Sequence, residues 1–269
     1  MMMPISDTFE RTMLGLEAGF RVSHIAALDL KVCAPDVSVS SVLSDPGLLD
    51  FDHIPVKEGS RIVGMLHRES AKGSGSVGDL MRPLDGEMLV SAEEPLPRFL
   101  PTLAESESPF RLVVQGTKIE GIVTLSDVAK LPVRVLAFTS VAHLEAVITK
   151  AIRSDCLDDD EKWLALIVEK RRGIEERVDK RRKQNIHLLS PIDVAYLSEK
   201  ITVVSKLRGL TGLENNRQLI TDFRNSLAHD GDFVTECKGI SGLLERLRLV
   251  EGWINKFKQD GSSLDNLNA

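Results

Sequence analysis

Phe110-Arg111-Leu112-Val113-Val114, a polar turn around Gly116, and Lys118-Ile119-Glu120-Gly121-Ile122-Val123 decide how the first half of the chain is read. A short apolar run, a turn with glycine and a second apolar run describe a β-hairpin. The same order stands earlier, in Phe51-Asp52-His53-Ile54-Pro55-Val56, a turn with Gly59, and Arg61-Ile62-Val63-Gly64-Met65-Leu66. This half is a tandem repeat. Helical segments frame the hairpins. Pro95 to Glu105 reads as a helix before the second one, and Ser126 to Lys130 as the start of a helix after it, stopped ahead of Pro132. Val39 to Leu49 is a weaker helix in the first repeat.

From Val135 onward the period changes from two to that of a helix. Val141, Leu144, Val147, Ile148 and Ile152 share one face, as do Trp163, Leu164, Ile167 and Val168. Val194, Leu197, Ile201, Val204 and Leu207 form a third, and Leu243, Leu244, Leu247, Val250 and Ile254 a fourth. Asp155 to Asp160 precedes a helix start, Ser190-Pro191-Ile192-Asp193 opens another, and Gly212 and Gly231 follow helix ends. The pattern predicts four main helices and one shorter or broken one. The expected fold class is α+β: tandem β-α-β-β-α repeats, then an all-α bundle of four or five helices. The expected layout is an N-terminal segment 1–21, the repeat pair 22–135, the helical domain 136–258 and a tail 259–269.

Composition narrows the class of function. Of 269 residues, 42% are hydrophobic and 28% charged, as in an ordinary globular protein. Cys33, Cys156 and Cys237 lie far apart with no C-x-x-C pair, so neither a zinc knuckle nor a disulfide framework is indicated. No metal site is expected. Asp7, Glu10 and Arg11 stand where a signal peptide needs an apolar run, and Arg134 and Glu145 interrupt the most apolar later stretch. The expectation is a cytoplasmic protein without a membrane span. The net charge of -6 arises in the first half, with 13 basic and 19 acidic residues in 1–136 against 21 and 21 in 137–269. One segment runs against this balance: Lys170, Arg171, Arg172, Arg177, Lys180, Arg181, Arg182 and Lys183 form a basic stripe. It reads either as a solvated helix face paired with Glu175, Glu176 and Asp179, or as a surface for an RNA backbone.

Gly121-Ile122-Val123-Thr124-Leu125-Ser126-Asp127-Val128 resembles the G-I-V-T-x-x-D element of the CBS domain, a small β-α-β-β-α unit that works in pairs. Val77-Gly78-Asp79-Leu80-Met81-Arg82-Pro83 is similar to the lead-in that precedes such a repeat. The resemblance covers residues 22–135. It implies an adenosine nucleotide (AMP, ATP or oligoadenylate) as regulatory ligand, with Thr124 and Asp127 holding phosphate and ribose. Val90, Ser91 and Ala92 are then the contacts on the base side. Alternatively, Thr124 and Asp127 cap the following helix and nothing more. The first repeat departs from the pattern, with His67 in place of Thr124 and Ser70 in place of Asp127. His67 and Arg68 then either reach phosphates in the neighbouring site or serve the fold.

In the helical half, Asn216 to Gly231 stands apart. Leu219, Ile220, Phe223 and Leu227 give it a buried face, and Arg224, Asn225 and His229 gather near its C-terminal end. Arg224-Asn225-Ser226-Leu227-Ala228-His229 resembles the R-N-x-x-x-H signature of HEPN domains, helical bundles that commonly dimerise and include many metal-independent ribonucleases. The resemblance implies His229 as the proton-transfer group, Arg224 as the cation facing the phosphorane and Asn225 as the orienting residue. His143 and Glu145 are secondary candidates. The bland alternative pairs Arg224 with Asp222 or Glu214 and leaves His229 as a favourable cation at a helix C-terminus. Two functional readings follow. One is a nucleotide-regulated, metal-independent endoribonuclease, acting as a homodimer and with a toxin and its antitoxin as a variant. The other is a non-catalytic nucleotide-sensing adaptor whose helices serve dimerisation or an effector partner.

Overall fold

The computed structural model describes residues 11–13, 15, 16, 18–69, 71, 75–106, 108–184, 190–229 and 231–265, with side chains up to 259. Two compact units emerge: Ala18–Val133 is one, and Arg134–Ala269 with Met1–Glu17 is the other.

In the first unit, helix α1 (Val39–Ser44) starts where Ser38 accepts a hydrogen bond from the Ser41 N–H. It stops five residues earlier than its apolar pattern suggests. Pro46 forces Asp45 into an extended conformation, with φ -69 and ψ 118, and so ends the helix. Strands β1 (His53–Glu58) and β2 (Arg61–His67) form the first hairpin, closed by Gly59 at φ +58. Val39, Val42, Leu48, Ile54, Val56, Leu66, Ala71 and Val77 make its core. Helix α2 (Val77–Leu80), boxed by Ser76 and Asp79, leads to β3 (Arg82–Pro83). In the second repeat β4 (Leu89–Ser91) runs parallel to β5 (Phe110–Gln115), which pairs antiparallel with β6 (Lys118–Thr124). Helix α3 (Leu96–Glu105) lies between β4 and β5 in sequence and buries Leu96, Phe99, Leu100 and Leu103.

Each repeat lends a segment to the other. The stretch before the first repeat pairs Ala27 with Ile122 on β6, and β3, which leads into the second repeat, pairs Arg82 and Pro83 with Met65 and Gly64 on β2. The glycines of the two second strands permit the crossings. A Cβ on Gly64 would lie 2.6 Å from the Arg82 carbonyl, and one on Gly121 3.0 Å from the Ala27 carbonyl. Between the sheets Met65, Met88, Phe110 and Leu112 are buried, flanked by Ile62, Leu84, Leu89, Ile119 and Ile122.

After β6 the chain makes a 3₁₀ turn, Leu125–Ala129, where an α-helix was expected. Pro132 does not stop it. Pro132 sits in the first turn of α4 (Leu131–Cys156), where its missing N–H leaves no bond unmade.

The helical unit follows with α5 (Asp160–Leu164), α6 (Val168–Lys183), α7 (Pro191–Val194), α8 (Leu197–Arg208), α9 (Thr211–Asn215), α10 (Arg217–Ala228), α11 (Phe233–Glu236) and α12 (Gly239–Asp265). Five long helices and four short ones replace the expected four and one among the described residues. Local capping makes the short pieces: Asp159 opens α5, Ser190 and Pro191 open α7, and Asp232 opens α11. The helix stop attributed to Gly212 belongs to Gly209, which has φ +66, while Gly212 lies within α9. Val168, expected in a buried face, is 67% exposed at the start of α6. The apolar helix α4 has a mean hydropathy of 1.5 in its best window and is long enough to cross a membrane, but half of that window is buried inside the protein. Val141, Leu144, Val147, Ile148 and Ile152 are buried as expected, and Val133, Leu136, Ala137, Ala151 and Cys156 are buried on the same helix.

Candidate functional site

The turn after β6 concentrates polar groups. Thr124 is the N-cap, and Asp127 reaches back so that its Oδ2 accepts from the Thr124 N–H at 2.6 Å and from the Thr124 Oγ1 at 3.0 Å. The Lys130 Nζ lies 2.7 Å from the Asp127 Oδ1 and donates to the Ile25 carbonyl. Asp127 is only 8% exposed, so its carboxylate is held in one orientation. Because Ile25 precedes the Ala27 crossing, Asp127 is wired through Lys130 to the segment that closes the sheet. Lys130 was not singled out from sequence. Its one visible signal was a cation one turn after an N3 acid.

Of the residues assigned to the base side, Val90 is half-buried and Ser91 exposed. Ala92 is buried, its N–H donates to the Val114 carbonyl, and its carbonyl accepts from the Ser23 N–H. Arg111, at the start of β5, is a further half-buried cation that the sequence reading passed over. Its Nη1 donates to the Ser108 and Phe110 carbonyls, and burial pushes its pKa down while Glu87 and Asp85 oppose the shift.

In the first repeat, Arg68 is used by the fold. Its guanidinium donates to the carbonyls of Phe51, Leu43 and Leu48, tying down the loop after α1 with three of its five N–H groups. His67 stands opposite His53 in the hairpin register. Their ring centroids are 4.8 Å apart, and His53 is 4.8 Å from Phe110, itself opposite Thr124. A row of rings thus runs from His67 toward the Thr124 turn. Burial, reinforced by the neighbouring His67, lowers the His53 pKa below 6.5, with Asp52 opposing. Ser70 lies outside the described residues, as do residues 1–10 and 266–269 of the terminal segments.

In the helical unit Arg224, Asn225 and His229 are all exposed. Arg224 donates to the Asn225 Oδ1 at 3.4 Å, and His229 follows α10 in an extended conformation. The carboxylates suggested as partners for Arg224 are engaged elsewhere: Glu214 pairs with Arg217, and Asp222 accepts from Gln218. Leu219 is half-buried, whereas Ile220, Phe223 and Leu227 are buried as expected. His143 is 2% exposed in the core, and the half-buried Glu145 holds the buried Lys200 at 2.7 Å.

The basic stripe divides. Arg171 bridges Glu161 and Glu175, Arg172 pairs with Glu176, and Arg182 lies 3.9 Å from Asp179. Arg177 pairs with Glu199 and stacks over the Tyr196 ring at 4.0 Å, which makes it part of the packing. Lys170, Lys180, Arg181 and Lys183 are exposed on the same helix.

No protein-family model and no curated protein matches the chain. Among solved structures it is similar to CBSX2 in complex with AMP, at 22% identity and a TM-score of 0.39, over 44% of this chain and 98% of that one. It is similar also to the CBS domain of the bacterial CNNM/CorC family Mg2+ transporter in complex with ATP, at 20% identity and a TM-score of 0.36, over 46% and 94%. A CBS domain protein of unknown function from Thermoplasma acidophilum gives 20% identity and 0.37, over 42% and 68%.

Proposed function

We propose that this protein is a nucleotide-sensing regulator whose repeat unit binds an adenosine nucleotide at the turn after β6. The observation that carries the reading is the Thr124–Asp127–Lys130 arrangement: a carboxylate fixed by two donors, with a lysine at one oxygen and a threonine hydroxyl at the other. In this role Asp127 accepts from a ribose hydroxyl at Oδ1, where one lone pair remains beside Lys130, and Lys130 and the Thr124 hydroxyl meet phosphate. Val90 and Ser91 border the base. Calorimetry with AMP, ADP and ATP on the wild type and Asp127→Asn tests this, because asparagine keeps an acceptor for the cap but removes the charge. The expected loss in affinity is about tenfold or more. Unchanged affinity removes Asp127 from the site, and no binding of any of the three removes the reading.

A second reading, an endoribonuclease regulated by that nucleotide, is favoured by Arg224, Asn225 and His229 standing exposed at one helix end. In that reaction His229 takes the proton of an RNA 2′-hydroxyl as its oxygen attacks phosphorus. The 5′-oxygen leaves with a proton from a second His229 across a two-fold, and Arg224 balances the phosphorane charge. Cleavage by wild type, Arg224→Ala and His229→Ala is to be compared without divalent metal, each with AMP, ATP and oligoadenylate. Activity confined to the wild type supports the nuclease. Equal absence in all three leaves the adaptor, whose homodimerisation is read by sedimentation.

A further inference from the structure

The turns of the two hairpins enclose a groove of about 760 Å³, lined by Ser60, Arg61 and Ile62 from one and Thr117, Lys118, Ile119 and Glu120 from the other, with Leu84, Leu89 and Val114 completing it. Such a volume falls in the range of small-molecule sites. The hairpins contribute like residues at like positions after Gly59 and Gly116: a hydroxyl, a cation and an isoleucine each. Ile62, Leu84, Leu89, Val114 and Ile119 are half-buried, which leaves an aliphatic lining only partly covered by protein. Polar side chains occur only at the mouth. Arg61 and Lys118 are exposed there, and neither forms an ion pair with a described residue. Glu120 offsets one of the two charges, so the mouth carries a single positive excess on a unit that is otherwise acidic.

We propose that this groove binds a small amphipathic monoanion, a carboxylate with an aliphatic body. Ile62, Leu84, Leu89, Val114 and Ile119 offer no side-chain donor or acceptor, and the polar lining residues are all exposed at the two turns, so the body of the ligand is apolar. Two cations against one acid suit one negative charge rather than a polyphosphate. Arg61 takes the carboxylate through its planar fork, and Lys118 adds a point charge. Arg61, Lys118 and Glu120 lie at the turn ends of β2 and β6, whereas His67 and Thr124 end those strands at the other side; the groove adjoins the proposed nucleotide site only through Leu89 and Val114, beside Val90 and Ser91.

The test titrates the full chain with octanoate, octanol and octylammonium by calorimetry and by amide shifts in NMR. Saturable binding of octanoate, weaker binding of octanol and none of octylammonium are expected, with shifts at residues 60–62 and 117–120. Arg61→Gln with Lys118→Gln should weaken octanoate about tenfold or more, while Glu120→Gln tightens it a few-fold. These positions are exposed, and unchanged thermal unfolding checks that the variants fold. AMP affinity should not move in any of them. The proposal is overturned if octanoate and octylammonium bind alike, if the double variant binds octanoate within about twofold of wild type, or if octanoate does not saturate. It is overturned as well if the chain sediments as a dimer that Ile119→Arg dissociates, since a second copy then fills the groove.

Discussion

Arg68 shows how a residue that looks available in sequence is committed by geometry. Its three donated bonds gather carbonyls from Leu43, Leu48 and Phe51, which no strand or helix satisfies. Arg68→Ala should lower stability by about 2 kcal/mol, read from urea unfolding, and Arg68→Lys should recover only part of it. No loss in Arg68→Ala would mean that water replaces the guanidinium. His53 makes a different prediction. Folded His53 binds a proton less readily than the unfolded imidazole, so below about pH 6.5 the unfolded chain takes up protons first. Stability from this group is full above that pH and falls below it, until folded His53 is protonated too. Unfolding midpoints at pH 7.5 and 5.5 should therefore differ, and His53→Phe should narrow the gap, since Phe110 already fills the matching place in the second repeat. An unaltered gap would place the pH response elsewhere.

At the scale of elements, the hairpins were legible because alternation and glycine turns are local signals. The partners that complete their sheets were not. β3 is two residues long, and Ala27 and Cys33 join sheets through single bridges, too short for any periodicity to register. Gly64 and Gly121 were visible as a repeated feature, but their purpose appears only when the crossing backbone is in place. Gly64→Ala puts a methyl against the Arg82 carbonyl and the Met81 sulfur, at 2.6 and 2.8 Å, and should cost about 2 kcal/mol. Gly121→Ala, with 3.0 Å to the Ala27 carbonyl, should cost less. The reverse order in thermal unfolding would show that the two crossings are not equally rigid. Helix ends in the second unit were harder. Phe233–Glu236 depends on the cap at Asp232, whereas Thr211–Asn215 has no side-chain cap and follows the Gly209 stop, and composition does not rank such breaks against longer helices of similar period.

For the molecule as a whole, the change of period near residue 135 was readable, as was the position of the Thr124 turn. The use of each charge was not. Ion pairs such as Glu145 with Lys200 or Arg177 with Glu199 join residues far apart in sequence, and only packing selects them from the many possible pairs. If the repeat unit binds nucleotide, a ligand at a hundredfold excess over its Kd should add about 2.7 kcal/mol to the unfolding free energy of that unit. Hydrogen exchange with and without AMP measures this, and slower exchange should centre on residues 20–27 and 118–130. Protection confined to the helical unit would place the nucleotide there instead.

The reciprocal crossing also bears on how the chain is made. Ala27 finds its partner only when Ile122 has left the ribosome, and β2 waits for Arg82 and Pro83 before its outer edge is covered. During synthesis β2 therefore carries an open edge until residues 82–83 emerge, and the segment at Ala27 stays unpaired until the second repeat is added. Such an edge is where chaperones bind and where wrong pairings start. The exposed charge at Arg61 and the bulge at Val63 in β2 both sit on that hairpin, and both discourage pairing with a neighbouring chain while it waits.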